Sequence, residues 1–239
     1  TLPALCLQRL TILDPVVEPA SFDLIFFVSG FAVDCYFALL TEQHRQWPQG
    51  QLAGCVGPGT AQALQRHGVA QQHILYPADN QSYDSNGFLT QLKASPYYAR
   101  LRSVLIVCGT GGNPWLGRQL QALSIDVTRL PIYRREARQW DKPQQSQVGG
   151  LLANPAEKKY VLLTSPQGIE AFVGNLAMAQ IDPASIAQST IFVVTHPGQV
   201  DHLRLTWQQK LAADNADALH IVQTLPQDDA IFHTVTISD

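Results

Sequence analysis

Short apolar runs with no polar alternation recur along this chain, and each breaks at a small polar or glycine-containing turn that opens an amphipathic stretch. Asp23–Val28 is such a run. It stops at Ser29 and Gly30, and Phe31–Leu40 then carries apolar residues at helical spacing. The unit repeats at Gln51–Val56, with Gly57–Thr60 as the turn and Ala61–His67 as a helix that Gly68 closes. A third unit has a minimal strand at Ile74–Leu75, a polar loop at Ala78–Asp84, and Ser85–Gly87 ahead of a helix at Phe88–Leu92. The fourth pairs Ser103–Cys108 with the turn Gly109–Gly112 and a helix from Pro114 through Leu123. Beyond residue 150 the order returns. Tyr160–Leu163 reads as a buried strand, Thr164–Gly168 as a turn and Ile169–Met178 as a helix; then come Thr190–Val194, Thr195–Gly198, a helix through Leu211 and a short strand at Leu219–Val222. Uninterrupted apolar strands alternating with helices predict an α/β fold: parallel sheets, buried on both sides, with helices on both faces.

Val127–Arg135 joins the two series. Its β-branched residues predict a connecting strand, and Pro131 suits an edge or an unpaired position. That placement puts Tyr133 near a cleft between two halves, where ligands commonly sit. Leu5, Leu7, Leu10, Ile12 and Leu13 form a loose strand pattern that runs out at Pro15 and Pro19; Ala137–Gly150, with Pro143 and two glycines, reads as a loop.

A chain of 239 residues that is 46% hydrophobic can bury substantial cores, in one large domain or two ordinary ones. Only 15% is charged and the net charge is −3, with no basic run, so nucleic acid is not the expected partner. No apolar run reaches membrane-spanning length and no basic region leads into a signal core, so a cytoplasmic protein is expected. Cys6, Cys35, Cys55 and Cys108 are far apart and form no C-x-x-C pair; they are expected to be buried thiols, with no metal site.

Ligands of an open parallel sheet collect outside the carboxyl ends of its strands, so the turns are the candidate site. Ser29, Gly57, Thr60, Ser85, Gly87, Gly109, Ser165 and Gly168 lie in them, where N–H groups, hydroxyls and positive helix ends suit carboxylate or phosphate. Glycine and serine also make tight turns for purely structural reasons. Pro114 stands where a dinucleotide motif needs its third glycine, no phosphate-loop lysine follows any strand, and the histidines lack metal-ligand spacing. Tyr133 can donate its phenol proton to a departing hydroxyl while staying neutral at rest, or can simply pack at a hinge.

The order of motifs resembles the uroporphyrinogen-III synthase family. Phe27–Val33 is similar to its F-T-S-x-x-A-V, Val56–Leu64 to V-G-x-x-T-A-x-A-L and Tyr83–Leu89 to S-E-G-L-L. Leu130–Arg135 is similar to l-x-V-Y-x-R and Leu163–Ile169 to F-T-S-P-S-G-V. Departures fall at Cys108–Pro114, which lacks two arginines and a glutamate, with Asn113 among the substitutes, and at Gln199, where a hydroxyl residue is usual.

The resemblance implies two doubly wound parallel-sheet domains joined by a two-stranded β linker. Residues 13–127 form one domain, 128–136 with 1–12 the linker, and 137–239 the other, completed in the family by an N-terminal segment. It implies closure of hydroxymethylbilane to uroporphyrinogen III with inversion of ring D through a spiro intermediate, in tetrapyrrole (heme) biosynthesis. No metal or organic cofactor is implied. Tyr133 is expected as the assisting acid, with Thr60 and Ser165 near the reacting ends. A monomer that receives bilane from hydroxymethylbilane synthase is expected, with no nucleic-acid or membrane partner. The departures leave room for an alternative: a non-catalytic two-domain binder of a small anionic ligand.

Overall fold

The computed structural model describes residues 4–12, 18–78, 82–153, 158–225 and 228–237. Leu13, Pro15, part of the Ala78–Asp84 loop and Pro226 lie outside them. The chain divides into two compact units, Leu7–Arg135 and Thr1–Cys6 with Glu136–Asp239.

The first unit contains most of β1 (Leu5–Arg9), then β2 (Leu24–Phe27), α1 (Gly30–Glu42), β3 (Leu52–Cys55), α2 (Pro58–Arg66), β4 (Ile74–Leu75), α3 (Ser85–Ala94), β5 (Ser103–Gly109), α4 (Trp115–Ala122) and most of β6 (Asp126–Ala137). Its sheet runs β1-β6-β5-β2-β3-β4. β2 pairs in parallel with both β3 and β5, and all four of its residues are buried. Successive side chains of a strand point to opposite faces. Ile25 and Phe27 therefore join Val33, Tyr36 and Leu39 of α1 and Leu64 of α2, while Leu24 and Phe26 join Phe88 and Leu92 of α3 and Leu116 of α4. Helices cover both faces, as the unbroken apolar runs require. Each large apolar side chain contributes about 1.5–3 kcal/mol on full burial, which exceeds the roughly 1–2 kcal/mol of backbone ordering at that residue.

β1 and β6 form the linker ladder. Leu10 N–H bonds the Ile132 carbonyl at 2.9 Å and Arg138 N–H the Ala4 carbonyl at 2.8 Å, so rising numbers meet falling ones and the pair is antiparallel. Each strand passes from one unit into the other, β1 after Cys6 and β6 after Arg135. Pro131 is not on an edge, because β6 has β1 on one side and β5 on the other. It sits beside a bulge: Cys108 pairs with Pro131 but Gly109 with Tyr133. A bulge leaves a ladder position unpaired, which tolerates the missing N–H.

The second unit holds α5 (Lys142–Ala153), β7 (Lys159–Leu163), α6 (Pro166–Met178), α7 (Pro183–Ser189), β8 (Thr190–Val194), α8 (Pro197–Leu211), β9 (His220–Gln223) and α9 (Asp228–Ile237), around a parallel sheet ordered β7-β8-β9. β8 is central and wholly buried. β7 is an edge of that sheet and only its last residue, Leu163, is buried, so the expected burial of Tyr160–Leu163 does not hold. An aromatic chain runs through the core, Trp140 to Phe172 to Phe192 to Trp207, with centroids 5.8, 6.3 and 5.7 Å apart and edge-on geometry.

Most of the expected loop at Ala137–Gly150 is helix α5. Asp141 and Gln144 exchange bonds at 2.9 and 3.1 Å in a reciprocal cap, and Pro143 falls in the first turn, where no N–H is needed. Val148 and Leu152, one turn apart, supply the buried contact that offsets the cost of two glycines. Cys6 is half-buried, unlike the other three cysteines. Among the described residues no helix is long and apolar enough to cross a membrane.

Trp207 ends the aromatic chain and is fully buried. Trp207→Ala is expected to lower the unfolding free energy by about 3–5 kcal/mol in chemical denaturation; a loss below about 1 kcal/mol would contradict this packing.

Candidate active site

Where the strand order of a parallel sheet reverses, the connections leave in opposite directions and open a crevice at the carboxyl ends. In the first unit this point lies between β2 and β5, since the chain goes from β2 out to β3 and β4 and returns through β5 to β6. Ser29, Gly109 and Tyr133 meet there.

Ser29 follows β2 in extended backbone and caps α1, its Oγ accepting the Ala32 N–H at 3.2 Å. The same Oγ stands 3.4 Å from the Tyr133 hydroxyl. Tyr133 is 4% exposed, and Phe31 meets its ring edge-on at 5.2 Å. The bulge in β6 brings Tyr133 opposite Gly109, where a Cβ would lie 2.8 Å from Cε2 and 2.9 Å from Cζ of the phenol. Gly109 thus supplies the space in which the ring stands.

One strand further along, Gly57 is the N-cap of α2, and among the described residues no side chain caps that helix. Pro58 has no N–H, so Gly59 and half-buried Thr60 present the N–H groups of this positive end. The Tyr83 side chain lies beside Gly57, 3.7 Å from where a Cβ would be. Beneath the turn Cys55 donates its thiol to the Gly57 carbonyl at 3.5 Å, and burial pushes that thiol up to about 11, leaving it neutral and unreactive.

Ser85 and Gly87 are not a turn ahead of the helix but the first turn of α3 itself. Asp84 caps them, its Oδ1 accepting the Asn86 and Gly87 N–H groups at 2.9 and 2.8 Å. Those donors are taken by the chain's own carboxylate. Gly87 is there for contact, because a Cβ would run into the Ser82 carbonyl oxygen.

In the second unit Ser165 caps α6, its Oγ accepting the Gly168 N–H at 3.1 Å. Both residues line a cavity of about 680 Å³ whose walls include Leu5, Trp140, Leu152 and Phe172. The N-terminus of α8 is closed from within. Gln199 Oε1 accepts the N–H groups of Thr195 and His196 at 2.8 and 3.1 Å, and His196 Nδ1 that of Gly198 at 3.1 Å. Gln199 therefore acts as a cap where a hydroxyl residue is usual. Asn113, just ahead of the Pro114 cap, accepts the Trp115 N–H at 2.9 Å at the start of α4.

Sequence reasoning missed Phe31, Asp84 and Arg129, whose Nη2 bonds the Gly112 carbonyl at 2.9 Å and so braces the turn after β5. Asp84, three residues before Gly87, carried a readable capping signal. Phe31 and Arg129 carried none, because their partners are remote in sequence.

The chain is thus an α/β protein of two units, the first with a buried tyrosine at the switch point of its sheet beside the start of α1. The family described as uroporphyrinogen-III synthase HemD (HEM4) matches residues 6–223. Uroporphyrinogen-III synthase of Escherichia coli (strain K12) is 30% identical over 195 residues, covering 82% of this chain and 75% of that protein. The Salmonella typhimurium (strain LT2) protein of that name is 32% identical over 209 residues, 87% and 80% of the two chains. The chain belongs to the uroporphyrinogen-III synthase family. The crystal structure of uroporphyrinogen-III synthetase from Helicobacter pylori 26695 has the same fold, with a TM-score of 0.59 at 15% identity over 99% of this chain and 91% of that one.

Gly109→Ala is expected to destabilise the first unit by about 1–3 kcal/mol through overpacking against the phenol. Adding Tyr133→Ala removes the clash, so the pair should cost less than the sum of the two; strict additivity in denaturation would show that the ring stands elsewhere.

Proposed function

We propose that this chain is a uroporphyrinogen-III synthase, closing hydroxymethylbilane to uroporphyrinogen III with inversion of ring D, in tetrapyrrole biosynthesis. The observation that carries this reading is the family match over residues 6–223, within which Tyr133 stands buried at the switch point of its sheet.

The substrate chemistry fits the site. The bilane carries eight carboxylates, and a chain of net charge −3 is poorly equipped to hold them with cations. Helix ends do so without added charge. The glycine-capped N-terminus of α2, at Gly57 and Thr60, supplies one such contact, and Ser165 with Gly168 at the start of α6 borders a second; Ser85 and Gly87 drop out because Asp84 fills the start of α3, and Gly109 serves the Tyr133 ring. Tyr133 assists departure of the terminal hydroxyl: its phenol proton goes to the leaving oxygen, the C–O bond breaks with both electrons on oxygen, and water leaves. The azafulvene cation so formed is attacked by the substituted carbon of the far ring, giving the spiro intermediate. Fragmentation and reclosure invert that ring, and the proton lost as it regains aromaticity returns to Tyr133. The bilane closes unaided to the other isomer, so the protein's main task is to hold the chain in one attack geometry. The scheme uses no metal or organic cofactor. A cytoplasmic monomer, supplied with bilane by hydroxymethylbilane synthase, completes the reading.

The test is to generate hydroxymethylbilane in a coupled reaction, oxidise the products and separate the porphyrin isomers. Isomer III in excess is expected. Isomer I at the spontaneous rate, from folded protein, would replace the synthase with a non-catalytic binder of a small anion. Tyr133→Phe is expected to lower kcat about 100-fold, within the usual range for a general acid, and to retain the isomer III preference; an unchanged rate would take Tyr133 out of the chemistry.

A further inference from the structure

We infer that Ser29 is a positioning residue for Tyr133: the start of α1 turns the phenol proton outward for transfer and steadies the oxygen that remains. The inference rests on the reading of Tyr133 as the acid.

Among the described residues, Ser29 Oγ is the hydrogen-bond partner of the Tyr133 hydroxyl. Two arrangements fit two hydroxyls at 3.4 Å. In one the phenol donates to Ser29, and its proton is turned inward and is not available for transfer. In the other Ser29 donates, and the phenol proton faces away from α1. Two features favour the second. Ser29 Oγ already accepts the Ala32 N–H, and accepting a bond strengthens a hydroxyl as a donor. Ser29 is also the N-cap of a 13-residue helix, whose positive end repels a proton aimed at it and attracts a lone pair.

The same contact works after transfer. Once the proton has gone to the departing hydroxyl, Tyr133 is a phenolate, and the Ser29 O–H becomes a charge-assisted donor to it. A contact of 3.4 Å is long for two hydroxyls at rest, and bonds of this kind commonly tighten only in the loaded enzyme. The ring stands closely over Gly109 with Phe31 against it edge-on, which holds its place. Only the hydroxyl rotor is left for Ser29 to set.

The experiment is a double-mutant cycle on single-turnover rate. Ser29→Ala is expected to slow wild-type turnover about tenfold but the Tyr133→Phe variant less than twofold, because no phenol proton remains to be oriented. Loss of the α1 cap lowers the melting temperature in both backgrounds, whereas the rate falls in only one, so stability and rate separate. Ser29→Thr, which keeps hydroxyl and cap, should restore most of the rate. Ser29→Asp keeps the cap, cannot donate, and draws the phenol proton inward; it should be at least as slow as Ser29→Ala although its helix is capped. Equal slowing by Ser29→Ala in both backgrounds, or full activity of Ser29→Asp, would overturn the positioning role and leave Tyr133 as the acid. Tyr133→Phe at the wild-type rate would overturn the acid itself.

Discussion

Burial of β2 on both faces is the constraint on which the first unit depends. Its four residues carry no polar group to the outside, so each face must be sealed by a separate pair of helices, and both flanking strands must run parallel to it. That requirement sends the chain outward through β3 and β4 and back through β5 and β6, and it creates the reversal of strand order beside β2. Ser29 is placed at the reversal simply by following Phe27 and Val28. Tyr133 arrives from a strand more than 100 residues later, brought opposite Gly109 by a one-residue bulge. The geometry around the phenol is therefore a result of sheet order before it is a result of local contacts.

Charge works in the same economical way. Helix ends can attract an anion to a protein of net charge −3 without added cations, but they are not equal. Asp84 occupies the start of α3 with a carboxylate, and His196 with Gln199 closes the start of α8. Serine caps at α1 and α6 take one N–H each and keep a hydroxyl proton to offer. At α2 the cap is glycine, and among the described residues no side chain takes its donors. This grading, from filled to half-filled to open, is chemically more specific than a count of glycine turns.

Much of the fold was legible because unbroken apolar runs have few solutions: β2, β3, β5 and β8 lie within a residue or two of where the pattern puts them. The failures have local causes. In α5 two glycines and a proline outweighed a capping pair that was equally present, and β7 was read as buried because apolar composition does not say which strand is an edge. Pro131 was expected on an edge, since a missing N–H is usually accommodated there; a bulge accommodates it as well. The candidate turns were found as positions, but their states were not, because whether an N–H is free depends on where a neighbouring side chain points.

The sequence by itself determined the alternation of strands and helices, the parallel sheets, the turns at the strand ends and the family, because these follow from residue spacing and from motifs a few residues long. Tertiary structure alone decided which strand lies beside which, that Ser29 and Tyr133 meet across 104 positions, that Gly109 is glycine to make room for a ring, and which helix ends remain open. The physical reason is that pattern fixes which face of an element is apolar, whereas contacts between distant residues arise only when several such faces are buried together.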